Sequence, residues 1–246
     1  LIQNTRILTP DMTIRSGVDV AIKDGMISSI CSSGSLSCQE AEQTVDGSRL
    51  LWMPGLTDGH MHTCQQLLRG KILDALPMIW TRIMLPFEST LTPEAVSLSA
   101  ALCSLEMIRG GTTSFLDAGG IHMDEAAKVY IKSGLRGALT LSTMDDTKVP
   151  DSMRADAAES ISRLNEYYNT WNGSGDGRLS VYYSLRSLIS CSEELIRGVF
   201  EAASERSAMV EAHMNEYPNE INYYLERYQM RPMENLDSLE VLSDHF

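Results

Sequence analysis

Three histidines and one glutamate carry the clearest chemical signal in this chain. His60 and His62 stand two apart in Pro54-Gly55-Leu56-Thr57-Asp58-Gly59-His60-Met61-His62. Side chains alternate along an extended strand, so residues two apart face the same way. Two imidazoles at a strand tip can therefore meet one cation. Imidazole suits zinc, iron, nickel or copper, and geometry rather than affinity selects among them. A bare His-x-His also arises by chance between two surface histidines. Here it follows an apolar run, Leu50–Leu56, that reads as a buried strand ended by a glycine-containing loop. A second segment, Val210-Glu211-Ala212-His213-Met214-Asn215-Glu216, places His213 at the end of another strand and Glu216 three residues on, in a loop. A carboxylate there can take a proton from a metal-activated water and hand it to a leaving group. The competing reading of Glu216 is a helix N-terminal carboxylate favoured by the macrodipole.

The elements that must position these residues fall into two parts. Residues 1–50 read as all-β: Leu1–Leu8, Val18–Lys23 and Met26–Cys31 are short runs rich in β-branched residues, and Asp24-Gly25 supplies the positive φ of a tight hairpin turn. These residues are expected to form part of a small β-sandwich. Residues 51–246 alternate strand and helix. Thr112–Leu116, Leu135–Leu141, Leu179–Leu185 and Ala208–His213 are the further strands. Leu91–Arg109, Asp124–Ser133, Ala155–Trp171, Ser192–Ser204, Asn219–Tyr228 and Met233–Leu239 are the helices. The first of these has Thr92-Pro93-Glu94 as cap and first turn, and Gly110-Gly111 as its stop. Such alternation implies parallel strands joined by right-handed crossovers. An α/β barrel and an open doubly wound sheet both fit this alternation. No Gly-x-Gly-x-x-Gly follows any strand, which counts against a Rossmann reading, and a P-loop is absent. The expected fold is an incomplete (β/α)8 barrel of the TIM type. Only five strand–helix units can be counted, and three more at ~30 residues each would need roughly 90 residues. The chain is therefore expected to be the N-terminal portion of a longer protein, with a C-terminal segment of the same protein as its partner. Alone, it is expected neither to hold metal tightly nor to turn over substrate.

Composition narrows the function. The chain has 246 residues, 43% of them hydrophobic, and a formal net charge of −13. That is enough apolar side chain for a core, and the acidity opposes a phosphate backbone, so nucleic acid is excluded as a partner. No apolar run approaches the ~20 residues of a membrane helix. Five cysteines (Cys31, Cys38, Cys64, Cys103 and Cys191), with no Cys-x-x-Cys pair, read as free thiols of a reducing cytoplasm. A homo-oligomer is compatible with the sequence, which carries no signal to decide it.

Pro-Gly-Leu-x-x-x-His-x-His after an all-β lead-in, then a strand-ending His-x-x-Glu, resembles the amidohydrolase superfamily. Within it, the likeness is to the branch of S-adenosylhomocysteine and methylthioadenosine deaminases and s-triazine chlorohydrolases. Gln66-Leu67-Leu68-Arg69-Gly70, Leu85-Pro86-Phe87-Glu88, Leu91-Thr92-Pro93-Glu94 and Glu106-Met107-Ile108-Arg109-Gly110-Gly111-Thr112-Thr113 carry it further. The resemblance implies that His60, His62 and His213 hold one divalent ion, zinc or alternatively iron, and that Glu216 is the proton shuttle. The family's further histidine (sixth strand) and aspartate (eighth strand) would lie beyond residue 246, and His245 reads as an ordinary surface residue. The implied reaction is attack of metal-activated water on an electrophilic ring carbon of a nitrogen heterocycle, expelling ammonia. Removal of chloride, opening of a cyclic amide and a non-catalytic scaffold are the alternatives.

The same resemblance assigns Glu88 to substrate hydroxyls, against the plain reading of a solvated residue before a helix. Trp80 offers a face for stacking, against the commoner core role of a large aromatic. Where related deaminases have Pro-His-Ser-Pro, this chain has Ser184-Leu185-Arg186-Ser187-Leu188. Arg186, with donors only and a fixed charge, puts adenosine-type substrates in doubt and suggests an anionic group on the ligand. His122, Asp117 and Cys64 are weaker candidates: a loop histidine, a turn cap and a buried small hydrophobe are their plainer roles.

Overall fold

The computed structural model describes residues 1–37, 41–72, 78–244 and 246. Cys38 and His245, both singled out from the sequence, lie outside them. The chain divides into two compact units, Leu1–Gly55 and Leu56–Phe246.

The first unit is one mixed sheet of five strands: β1 (Ile2–Leu8), β2 (Ile14–Lys23), β3 (Met26–Ser32), β4 (Val45–Asp46) and β5 (Leu51–Trp52). β1–β2 and β2–β3 pair antiparallel, while β4 and β5 each pair parallel with β1. The β2–β3 hairpin turns at Asp24 and Gly25, both at positive φ, and Lys23 pairs with Met26 across it, as the Asp-Gly signal requires. The expected boundary at residue 50 shifts to residue 55, because Leu51 and Trp52 pair with Arg6 and Ile7 of β1. The apolar run 50–56 is thus two pieces, and only its last residue opens the barrel strand.

In the second unit β6 (Leu56–Met61), β7 (Thr112–Asp117), β8 (Arg136–Leu139) and β9 (Leu179–Val181) form a parallel sheet in that order. β10 (Tyr183–Leu185) pairs parallel with β11 (Val210–Ala212). The strand expected over 179–185 is one extended segment serving two neighbours. Tyr182 N–H donates back to Leu139 O at 2.9 Å, and Tyr183 N–H donates forward to Met209 O at 2.8 Å. Five barrel positions result, joined by helices α2 (Pro93–Gly110), α3 (Met123–Ser133), α4 (Ala157–Trp171) and α6 (Glu193–Ser204), with α7 (Pro218–Tyr228) and α8 (Pro232–Ser238) following β11. Among the described residues there are also two short helical turns, α1 (Leu85–Glu88) and α5 (Ser174–Gly177).

Local chemistry sets these ends. Thr92 accepts from Ala95 N–H ahead of Pro93, and Gly111 closes α2 at φ 81°. Asp156 and Ser192 cap α4 and α6 in the same way. The core lies between strands and helices. Val96, Ala100, Cys103 and Met107 of α2 pack with Phe115, Met123, Tyr130 and Leu139, and Leu195, Val199 and Phe200 of α6 pack with Tyr183, Leu185 and Val210.

Candidate metal centre

Each of the three histidines stands at the C-terminal end of a parallel strand, the end where barrel sites are built. His60 lies within β6, His62 directly follows it and caps the short 3-10 turn Thr63–Leu68, and His213 directly follows β11. Met61, between the first two, points the other way and is buried in the core, as alternation demands. The rings converge: their centroids are 5.1 Å (His60–His62), 4.9 Å (His60–His213) and 5.0 Å (His62–His213) apart. One donor nitrogen from each lies within 4.8 Å of the others, and His62 Nε2 faces His213 Nε2 at 3.0 Å.

The electrostatics keep two of these rings in the form that binds metal. Burial, reinforced by the Arg186 guanidinium, lowers the His62 pKa to about 2 and that of His213 to about 4. Both are thus neutral at physiological pH, with lone pairs to offer. His213 Nδ1 is buried with no hydrogen-bond partner, an arrangement that native interiors rarely leave without an ion or water. A set of three neutral or exposed imidazole nitrogens around one point fits a divalent ion of the zinc type, which takes His nitrogens at about 2.0–2.1 Å. The residues fit the group.

These histidines line a cavity of about 210 Å³ with Gln65, Trp80, Met84, Arg186, Ser187 and Glu216. Glu216 is exposed on the loop between β11 and α7. Asn215 before it has φ 57°, and Glu216 N–H donates to Glu220 Oε2 at 2.9 Å, which ties the loop down. Trp80 begins a π-helical turn, Trp80–Met84, that leads into α1; its indole Nε1 is buried without a partner. A larger cavity, about 510 Å³, shares Trp80 as a wall.

Glu88 differs from both sequence readings. It is fully buried rather than solvated, and it lies behind the cavity wall instead of on it. Its Oε1 accepts from Arg186 Nη2 at 2.7 Å and from Gln65 Nε2 at 2.6 Å. Arg186 does line the cavity, but its charge is balanced by Glu88. The anionic group inferred for the ligand therefore loses its ground, since that inference needed an uncompensated cation.

The weaker candidates settle into supporting places. Asp117 is fully buried and accepts from Gly119 N–H at 3.0 Å, from Thr63 N–H and from the Thr63 hydroxyl, which also meets Tyr130 Oη at 2.6 Å. It fastens the residue after His62 from beneath; burial raises its pKa to about 6. His122 caps α3 and contacts Leu91 O at 3.2 Å, apart from the cluster. Cys64 is buried, which pushes its thiol well above the usual range. Among the described residues, Cys31, Cys64, Cys103 and Cys191 are free thiols. Sequence reading missed Gln65, which no motif marks, and Glu211. The latter accepts from Ser184 Oγ at 2.5 Å and is raised to about 7 by burial; its alternation with His213 along β11 was the available signal.

Known proteins place this architecture. The 5-methylthioadenosine/S-adenosylhomocysteine deaminase of Carboxydothermus hydrogenoformans is 31% identical over 97% of this chain and 54% of its own length. The 5'-deoxyadenosine deaminase of Methanothermobacter thermautotrophicus is 34% identical over 93% of this chain and 52% of its own length. The chain spans about half the length of the curated relatives it matches. Among solved structures, a zinc-bound adenosine deaminase from Xanthomonas campestris superposes with TM-score 0.85 at 25% identity, covering 99% of this chain and 55% of that one. The zinc complex of atrazine chlorohydrolase from Arthrobacter aurescens shares the fold, with TM-score 0.88 at 18% identity over 99% of this chain and 59% of that one. Residues 51–245, which contain all three converging histidines and Glu216, match the amidohydrolase family, and the chain belongs to it.

Proposed function

We propose that the protein carrying this chain is a metal-dependent aminohydrolase that deaminates a nitrogen heterocycle of the nucleoside, purine, pterin or triazine type. The observation that carries the reading is the meeting of three imidazoles from two distant strand tips on a cavity that Glu216 also lines. His60, His62 and His213 would hold one divalent ion, zinc in the first instance. When bound, such an ion makes water nucleophilic at neutral pH. Glu216 would take one proton from the attacking water and pass it to the ring nitrogen, and the hydroxyl proton of the adduct would move to the amino group, which leaves as ammonia as the C–N bond breaks. Trp80 and Met84 bound the space in which a flat heterocycle would lie, and Gln65 and Arg186 are also part of its lining. That two relatives are named nucleoside deaminases supports the choice of leaving group. The free thiols support a reducing cytoplasm as its location.

The test is metal content of the purified full-length protein together with ammonia release across nucleosides, purines, pterins and triazines. One divalent ion per chain and ammonia from at least one heterocycle class are expected. Chloride release without ammonia would replace deamination by dechlorination, and absence of bound metal would leave the barrel a scaffold.

A further inference from the structure

Behind the imidazoles lies a buried ion pair that the proposed chemistry leaves unused. The side chains of Arg186 and Glu88 are 2% and 0% exposed. Burying a charge pair is costly, and replacing it with apolar groups is often neutral or stabilising, so stability alone does not account for it. Its contacts supply a reason. Arg186 Nη1 donates to Gly119 O at 2.9 Å and to Ser142 Oγ at 3.2 Å, and Nη2 donates to Glu88 Oε1 at 2.7 Å. His62 Nδ1 lies 3.3 Å from the same Gly119 O and 3.3 Å from Arg186 Nη1.

A histidine that offers Nε2 to a cation carries its proton on Nδ1 and donates it, commonly to a carbonyl. The carbonyl in reach is that of Gly119, and Arg186 fixes its direction. Yet the guanidinium is a permanent positive charge, set beside a ring that is to hold a second cation in surroundings that screen poorly. Glu88 stands where it cancels that charge. Its Oε2 has no partner, and Gln65 rather than Glu88 forms the cavity wall.

We propose that Glu88 and Arg186 are positioning residues of the metal site. Arg186 holds the carbonyl that receives the His62 ring proton, and Glu88 neutralises Arg186 so that a divalent ion can sit on the opposite ring nitrogen. This rests on the metal-site reading above. Glu88 then acts through the charge of Arg186, so removing both charges harms metal binding less than removing the carboxylate alone. A pair that merely supports the fold shows its coupling in the melting of the metal-free form and not in the zinc affinity of the folded protein.

The experiment measures zinc affinity of the full-length protein by chelator competition, the visible spectrum of its cobalt form, and the melting of the metal-free form. Glu88→Gln keeps the shape and an acceptor for Arg186 and Gln65. It is expected to weaken zinc about 10–100-fold, the range typical of outer-shell partners, while the metal-free protein stays folded. The double variant Glu88→Gln/Arg186→Met is expected to return to within about tenfold of the parent, with a shifted cobalt spectrum because Gly119 O is no longer held. If the single variant does not fold, the double, which buries no unpaired charge, carries the test by retaining zinc where His62→Ala loses it. Zinc affinity unchanged in Glu88→Gln, or a double variant as weak as the single or as His62→Ala, would overturn the proposal. A parent protein that binds no metal through His60, His62 and His213 overturns the metal-site reading and this proposal with it. An intact parent site indifferent to Glu88→Gln removes this proposal alone.

Discussion

The separate roles proposed for His213 and Glu216, three residues apart after β11, can be measured directly. His213 presents a nitrogen to the cluster, whereas Glu216 is exposed and reaches the cavity from the loop. His213→Ala is therefore expected to lose zinc by at least the 10–100-fold seen for outer-shell partners. Glu216→Gln should keep the metal and lower kcat by about 10²–10⁴-fold, the usual contribution of a general acid–base group. Equal loss of metal in both variants would refute this division. Asp117 supports a pH prediction. Burial raises its folded-state pKa to about 6, above the ~3.9 of an exposed aspartate. Its contribution to stability is thus complete below about pH 4 and is lost as the pH rises through about 6, on the order of 3 kcal/mol for a shift of two units. Denaturant unfolding of Asp117→Asn between pH 4 and 7 should lack this decline, and parallel curves for the two proteins would contradict it.

Among the elements, the turn after β7 is tightly constrained. Gly119 has φ +81°, and a Cβ there would stand 2.5 Å from Thr140 Oγ1 and 3.0 Å from Ser142 N. Space and backbone conformation both demand glycine. The carbonyl of this residue meets His62 and Arg186. Gly119→Ala is expected to destabilise the protein by about 1–3 kcal/mol, as overpacking does, and to weaken zinc binding in step. A variant that melts lower but binds zinc unchanged would show that the turn supports the fold alone. Sequence reading placed the cap of α2 at Thr92 and its stop at Gly110-Gly111, because caps are local chemistry. It ran β5 and β6 together, because an apolar run does not show where a strand changes neighbours. That change depends on Leu51 and Trp52 finding β1, some 45 residues upstream.

At the scale of the molecule, one side of the barrel unit is apolar and open. Leu98, Leu105 and Ile108 of α2 are 62%, 55% and 53% exposed, and Leu56 of β6 is 52% exposed. Among the described residues, β6 pairs only with β7. A parallel strand with a free edge beside an apolar helix stripe is a template for association. The chain of residues 1–246 is expected to self-associate at micromolar concentration, and Leu105→Lys to reduce that association. Sedimentation velocity checks both, and a monodisperse unaltered chain would contradict the expectation.

What the sequence determined alone is what depends on neighbours along the chain. The alternation that turns His60 and His62 to one face, the Asp-Gly hairpin, the capped start and glycine stop of α2, and the count of five parallel strands all follow from periods and turn chemistry spanning a few residues. The tertiary structure decided what depends on residues far apart in sequence. Only folding brings His213 within 3.0 Å of His62, 151 positions away. Only folding sets Arg186 against Glu88, 98 positions away, which turned an expected substrate contact into a buried pair. Spacing in sequence fixes the direction of a side chain on its own element, whereas the charge that faces it across the barrel is set by how elements pack.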